Sequence, residues 1–136
     1  MKAAVYKGAR RFAVEEVPTP VPDNGQILVK ITHSAICGTD VHAFMYDIMP
    51  VGHVPGHEYC GVVAKVGPGV TRWKVGDRVV GGGGAPPGSQ DRLQMGPRFN
   101  YRTSGFARKP LRAYAEYIVM EEWEPLPIPQ GVTEEQ

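Results

Sequence analysis

The sequence has 136 residues, and its 15 lysines and arginines nearly balance its 14 aspartates and glutamates, leaving a formal net charge of +1. This balance provides no strong field for binding nucleic acid or an anionic membrane surface. No apolar run approaches the length of a membrane span, and no cleavable apolar segment opens the sequence. A chain of this length can bury roughly two-thirds of its unfolded surface in one core. We therefore expect one cytoplasmic domain, residues 1–136, that binds neither nucleic acid nor membrane.

Short apolar runs between glycines and prolines predict a mostly β fold. The 17 glycines and 13 prolines are spread through a chain that is rich in valine and isoleucine. The predicted strands cover residues 3–7, 12–17, 27–32, 62–66, 79–80 and 113–120. The first two should form a hairpin, and residues 121–136 should form an extended, proline-rich connector.

One short helix is predicted after the third strand. Thr39 or Asp40 can cap it, because their side-chain oxygens satisfy free amide groups of the first turn, and it should end near Tyr46. The glycine run at 81–84 follows a strand, but prolines stand where a dinucleotide-binding turn needs its third glycine, so we interpret it as a loop. The basic and aromatic segment 88–112 is interpreted as a surface excursion that packs on a partner subunit or on the rest of a larger enzyme.

The stretch from Cys37 to Glu58 has the composition of a metal site. Zinc binds cysteine sulfur, histidine nitrogen and carboxylate oxygen, and a catalytic zinc has three protein ligands and one open position. Cys37, His57 and Glu58 could supply that set in a chain with only two cysteines and four histidines. The other cysteine, Cys60, is predicted to be a buried strand residue. A Cys37–Cys60 disulfide is conceivable, but a chain without a signal peptide favours reduced thiols.

The residues around His57 form a longer pattern. The chain reads Gly56-His57-Glu58-Tyr59-Cys60-Gly61, and then has Gly67 and Val70 at fixed distances. These positions match the signature of the zinc-containing alcohol dehydrogenases, and Cys37–Asp40 and Val75–Val79 are also similar to that family. The sequence thus resembles, over nearly its whole length, the N-terminal catalytic domain of the medium-chain dehydrogenase/reductase superfamily.

The resemblance implies a fold and a set of metal ligands. The fold would be a GroES-like, mostly antiparallel β-barrel with a few short helices, followed by a Rossmann cofactor domain that this sequence lacks and towards which residues 121–136 would lead. Cys37 and His57 correspond to two zinc ligands of the family. Glu58 corresponds to a glutamate beside the zinc, which ligates it in some members.

The resemblance also implies three catalytic roles. Thr39 corresponds to the hydroxyl that bonds the substrate oxygen and starts a proton relay, and His42 corresponds to the outer base of that relay. Asp40 corresponds to the carboxylate that accepts a hydrogen bond from His57 and fixes its tautomer. Structural alternatives remain open: Cys37 as a small core residue, Asp40 as a helix cap only, and His42 as a surface histidine.

The activity implied by the resemblance is oxidation of a small-molecule alcohol to a carbonyl, with hydride transfer to NAD or NADP bound by the Rossmann domain. Many members hold a structural zinc through four closely spaced cysteines. Since no cysteine lies between Arg78 and Arg112, we predict one catalytic zinc and no structural zinc. We expect no turnover by this chain alone and a homo-oligomeric full-length enzyme. The alternative is a stand-alone GroES-like metal-binding or assembly module without dehydrogenase activity.

Overall fold

The computed structural model describes residues 1–81 and 110–135. Its elements, in chain order, are β1 (Lys2–Tyr6), β2 (Phe12–Glu16), β3 (Gln26–Ala35), α1 (Gly38–Met45), β4 (Glu58–Val66), β5 (Arg78–Val80), β6 (Tyr117–Glu121) and β7 (Leu126–Pro127). The predicted mostly β class is confirmed, although the described residues hold one α-helix where a few were expected. No helix among these residues has the length and apolarity needed to cross a membrane.

The strands form two antiparallel sheets. The predicted hairpin of β1 and β2 pairs Lys2 with Glu16 and Tyr6 with Phe12. The other five strands form one sheet in the order β6-β3-β4-β5-β7. A bridge between Ala3 and Ala115 links the hairpin to the chain that enters β6. Over the described residues the two sheets have separate strand orders and do not close into the expected barrel.

The main core lies on the large sheet, where β3 and β4 pair along most of their length. Ile27, Val29, Val63 and Val79 are almost completely buried there. The predicted alternation along β3 holds only in part, because Leu28 is also buried. Register shifts between Leu28 and Val29, and between Ile31 and His33, interrupt the period of two.

These shifts explain one wrong prediction. Continued from Ile31, the alternation of the third predicted strand predicts that His33 is half-buried, yet it is exposed. The irregularity between the two residues changes which face of β3 the later side chains occupy.

Two strand boundaries differ from the prediction in a way that matters for the site. β3 continues to Ala35 and β4 already begins at Glu58, so the ladder ends with Ala35 paired to Glu58. Residues 113–116 were predicted as strand but precede β6. Their backbone instead bonds the segment before His57, with Tyr114 N–H donating to the Pro55 carbonyl at 2.9 Å.

The predicted connector from residue 121 packs against the sheet over its described part. Its Leu126–Pro127 pair forms β7 at the edge beside β5, where a proline is tolerated because one side of the strand needs no partner. Further on, Glu134 accepts a hydrogen bond from Arg78 Nε at 2.6 Å. Residues 82–109 lie outside the described part of the chain, and with them most of the glycine run and of the basic segment.

Gly61 is required by the close approach of β3 to β4. A Cβ atom at this position would collide with the Lys30 carbonyl oxygen and lie 2.8 Å from Val29 Cγ1. We expect Gly61→Ala to lower the free energy of unfolding by at least about 1–3 kcal/mol, the usual cost of overpacking, because the colliding atom belongs to the backbone. Urea denaturation of the metal-free protein measures this.

Gly38→Ala is the matched control. A Cβ atom at Gly38 meets nothing within 4 Å, so its effect should stay within about 0.5 kcal/mol. Equal stability of the two variants would contradict the close packing of β3 on β4.

Candidate metal centre

The candidate centre lies where the β3–β4 ladder ends and α1 begins. Ala35 pairs with Glu58 at the last step of the ladder. Two residues beyond Ala35, Cys37 occupies the N-cap of α1 in an extended conformation, with φ −77° and ψ 155°. The strand end therefore brings the start of the helix beside His57, although the two are 20 residues apart in sequence.

The structure brings together the three predicted metal ligands. One donor atom from each of Cys37, His57 and Glu58 lies within 4.8 Å of the others, and this is the one such group of three or more that the described residues contain. Zinc–ligand bonds in a tetrahedral site imply donor separations of about 3.6 Å. A small side-chain adjustment would close the set around an ion. Cys37 and His57 are half-buried and Glu58 is exposed, so the group faces solvent.

Asp40 lies beneath this group and is only 4% exposed. Its Oδ2 accepts the Cys37 N–H at 3.1 Å and the Tyr114 hydroxyl at 2.9 Å. Its Oδ1 lies 3.6 Å from His57 Nδ1 and has no closer hydrogen-bonding partner among the described residues. The carboxylate thus both supports the helix start and faces the histidine.

The helix start differs from the prediction. Cys37 is the N-cap, whereas Thr39 and Asp40 lie within the first turn. Asp40 occupies the third helical position and bonds back to the Cys37 N–H, as the acidic residue of a capping box does. A capping role alone does not account for both oxygens of Asp40, since Oδ1 faces His57.

His57 is oriented by a different neighbour on each side of its ring. Nδ1 faces Asp40, while Nε2 lies 3.3 Å from Thr39 Oγ1. A proton on Nδ1 directed at Asp40 leaves the lone pair of Nε2 available to a metal. This tautomer follows from the neighbours and suits a ligand that binds through Nε2.

The ionisation of the three groups is coupled. Burial would raise the pKa of Asp40, but the neighbouring His57 ring and the hydrogen bonds from the Tyr114 hydroxyl and the Cys37 N–H outweigh it and hold that pKa below its ordinary value. Asp40 raises the pKa of His57 against the opposing effect of burial. Hydrogen bonds from Thr39, and then from His57, lower the pKa of the Cys37 thiol and favour the thiolate that a metal requires.

His42 is exposed on α1, with its ring centre 6.2 Å from that of Tyr46. The helix begins at Gly38, which places His42 at the start of the second turn. A spacing of three residues puts it on the same side of the helix as Thr39. The relay between Thr39 and His42 stays a prediction.

Cys60 and His53 lie outside the candidate centre. Cys60 is buried, as predicted, and its Sγ donates to the Glu134 carbonyl at 3.3 Å. Both cysteines are free thiols. A histidine in a loop is expected to be exposed, but His53 is half-buried, and burial lowers its pKa.

Sequence reasoning missed Tyr114, which bonds Asp40. Its position in a run of alternating apolar and polar residues indicates only a strand. The contact depends on a fold that brings together residues 74 positions apart, which no local pattern reveals.

Known proteins share this fold and parts of this sequence. Residues 23–130 match the family model described as the alcohol dehydrogenase GroES-like domain. The chain is 37% identical over 142 aligned residues to the L-threonine 3-dehydrogenase of Chromobacterium violaceum, an alignment that covers 99% of this chain and 42% of that enzyme.

Two solved structures illustrate the similarity. Acetophenone reductase from Geotrichum candidum, solved in complex with NAD, superposes with a TM-score of 0.78 at 26% identity over 98% of this chain and 41% of its own. The cobalt- and zinc-bound thermostable alcohol dehydrogenase from Pyrobaculum aerophilum gives a TM-score of 0.71 at 26% identity, over 93% of this chain and 40% of its own. The chain spans about two fifths of the length of these relatives.

The two cysteines provide a matched test of the metal site. We expect Cys37→Ala to weaken zinc binding by more than the 10–100-fold that loss of an outer hydrogen-bonding partner costs, because it removes a ligand. Cys60→Ala should bind zinc like the unmodified protein, since its sulfur contacts backbone outside the group. Competition with a chromophoric chelator measures both. Equal zinc affinity of the two variants would place the metal elsewhere.

The Asp40–His57 pair predicts a pH window of stability in the metal-free protein. Asp40 has a lowered pKa, so its contribution is present above the ordinary value of 3.8 and is lost as the pH falls through its folded value. His57 has a raised pKa, so its contribution is present below 6.5 and is lost as the pH rises through its folded value. The pair should therefore stabilise most between these two ordinary values.

Chemical denaturation across pH in the presence of a chelator measures this window. Asp40→Asn is the comparison variant, because it keeps an acceptor for the Cys37 N–H and the Tyr114 hydroxyl but removes the charge. The difference in unfolding free energy should peak inside the window. A difference that stays constant from pH 5 to alkaline pH would show that His57 is not the charge partner of Asp40.

Proposed function

Since the chain belongs to the alcohol dehydrogenase GroES-like domain family, we propose that it forms the zinc-binding catalytic domain of a zinc-dependent, NAD(P)-linked alcohol dehydrogenase. Its reaction is the oxidation of a small-molecule alcohol to a carbonyl, and the reverse reduction. The observation that carries the proposal is the convergence of Cys37, His57 and Glu58 within 4.8 Å at a solvent-facing position.

Zinc fits this donor set. Thiolate and imidazole ligands favour zinc over magnesium or calcium, which prefer oxygen. The unpaired Asp40 Oδ1 beside His57 Nδ1 is the outer partner that a zinc-binding histidine usually has. Bound by Cys37, His57 and Glu58, zinc would supply a Lewis acid that stabilises negative charge on the substrate oxygen.

The chain's own residues would bind the substrate and move its proton. Thr39 Oγ1 lies 3.3 Å from His57 Nε2, so engagement of that nitrogen by a metal leaves the hydroxyl free to hydrogen-bond a substrate oxygen beside it. His42 is exposed one turn further along α1, where it would act as the outer base that passes the substrate proton to solvent. Asp40 orients His57 throughout.

The hydride acceptor, NAD or NADP, is proposed to bind to a region outside these 136 residues. The chain spans about two fifths of its curated relatives, and the residues described here contain none of the glycine-rich turns that open a dinucleotide-binding helix. Turnover therefore requires a cofactor-binding region. We place the protein in the cytoplasm, with reduced thiols, and as a homo-oligomer in its full-length form.

A chimera tests this proposal. This chain would replace the matching N-terminal 42% of the Chromobacterium violaceum L-threonine 3-dehydrogenase. The chimera should reduce NAD or NADP with an alcohol from a panel that includes L-threonine, whereas the 136-residue chain alone should not. Thr39→Val should lower kcat about 100-fold or more, because a group positioned for proton transfer contributes about 10²–10⁴-fold.

The control is Thr32→Val, which removes a β3 hydroxyl that donates to the Cys60 carbonyl on β4, outside the metal group. Its kcat should match that of the unmodified chimera. A folded chimera that binds one zinc but oxidises no alcohol would contradict the dehydrogenase assignment and favour a metal-binding module. Zinc-dependent turnover by the 136-residue chain would contradict the need for a further region.

A further inference from the structure

Tyr114 connects three parts of the chain at the candidate centre. Its hydroxyl lies 2.9 Å from Asp40 Oδ2 and 3.2 Å from the carbonyl oxygen of Ala35. Ala35 ends β3, and Asp40 belongs to the first turn of α1. The phenol thus lies against the junction between the strand and the helix that carries Cys37.

The ring of Tyr114 is held from the other side by the segment that leads to His57. Gly56 has φ +100°, and a Cβ atom there would lie 2.6 Å from Tyr114 Cδ1 and 2.9 Å from its backbone nitrogen. The Tyr114 N–H donates to the Pro55 carbonyl, and the Ala113 N–H donates to that of Gly56. Gly56 therefore provides both the backbone conformation and the space that let the ring lie beside the metal-binding segment.

The hydrogen bonds fix how the Asp40 carboxylate is turned. Oδ2 receives two donors, the Cys37 N–H and the Tyr114 hydroxyl, while Oδ1 is directed at His57 Nδ1. A carboxylate held by one donor can rotate more freely about its last side-chain bond than one held by two. The second donor therefore determines which oxygen faces His57.

We propose that Tyr114 is a positioning residue for the metal ligand His57. Its hydroxyl fixes the Asp40 carboxylate, which in turn holds the proton on His57 Nδ1 and leaves Nε2 for the metal. This inference rests on the proposed zinc site. It predicts an effect of the hydroxyl on His57 even when no metal is bound.

The variant Tyr114→Phe tests this role, because it keeps the ring against Gly56 and removes only the hydroxyl. Zinc affinity, measured by chelator competition, should fall about 10-fold, the lower end of the loss expected for an outer partner. In the metal-free protein at alkaline pH, where the imidazole is neutral, nitrogen NMR should show His57 shifting from the Nδ1–H tautomer to a mixture. His57→Gln assigns the signal. Tyr117→Phe, a tyrosine of β6 outside the site, should change neither property.

A double-mutant cycle separates positioning from general stabilisation. If Tyr114 acts through the Asp40 carboxylate, adding Tyr114→Phe to Asp40→Asn should cause little further loss of zinc affinity, because the amide no longer presents a charged oxygen to His57 even where Tyr114 still bonds it. A purely structural role predicts additive losses in both zinc affinity and thermal stability. Additive losses in zinc affinity, or a lower melting temperature with an unchanged His57 tautomer, would overturn the proposal.

The outcomes distinguish this inference from the function on which it rests. If the unmodified protein binds no zinc through Cys37 and His57, the proposed function fails at that step. If zinc binds there but Tyr114→Phe changes neither affinity nor tautomer, the role of Tyr114 is overturned and the proposed function stands.

Discussion

The buried carboxylate of Asp40 is the interaction on which the candidate centre depends. A charge that is 4% exposed is costly unless polar partners replace the lost water. Those partners come from three separate segments: the Cys37 N–H, the Tyr114 hydroxyl and the His57 ring. Stabilising one carboxylate therefore requires three segments to meet at one point: the start of α1, the residue before β4 and the chain that precedes β6. The same requirement brings the thiol and the imidazole together.

The sheet supplies the rigidity that this arrangement needs. The β3–β4 ladder extends to the pair of Ala35 with Glu58, so two of the three converging segments leave from adjacent strand ends. Sites supported by strands and helices hold their geometry better than sites on free loops. Gly61 allows the two strands to approach closely, and Gly56 admits the Tyr114 ring. These two glycines thus allow the close packing that brings the residues of the candidate centre together.

Local sequence patterns predicted much of this fold, and the failures have physical causes. Short apolar runs between turn residues located β1 and β2, and alternation located the central part of β3, because a half-buried strand imposes a period of two. It failed at His33, where the register shift after Ile31 is set by pairing with β4 and not by local sequence. Thr39 and Asp40 are good capping residues in general, yet Cys37 caps α1, since Asp40 reaches back to its amide from the third helical position. Residue type and the family resemblance together indicated the candidate donors Cys37, His57 and Glu58, which the fold brings within 4.8 Å of one another, whereas Tyr114 required the tertiary fold.

The exposure of the donor group to solvent distinguishes between a structural and a catalytic metal site. A structural zinc site is closed by four protein ligands, whereas a catalytic one keeps a position for substrate. Here three donors converge, two of them half-buried and the third exposed, which leaves one side of the group uncovered by the described residues. Around α1 the apolar side chains of Ile36, Val41 and Met45 are 73%, 43% and 56% exposed. Exposed apolar surface beside a functional site is typical of contact surfaces. An open donor group bordered by such side chains fits a site completed by substrate and a cofactor-binding region better than a self-contained structural metal site.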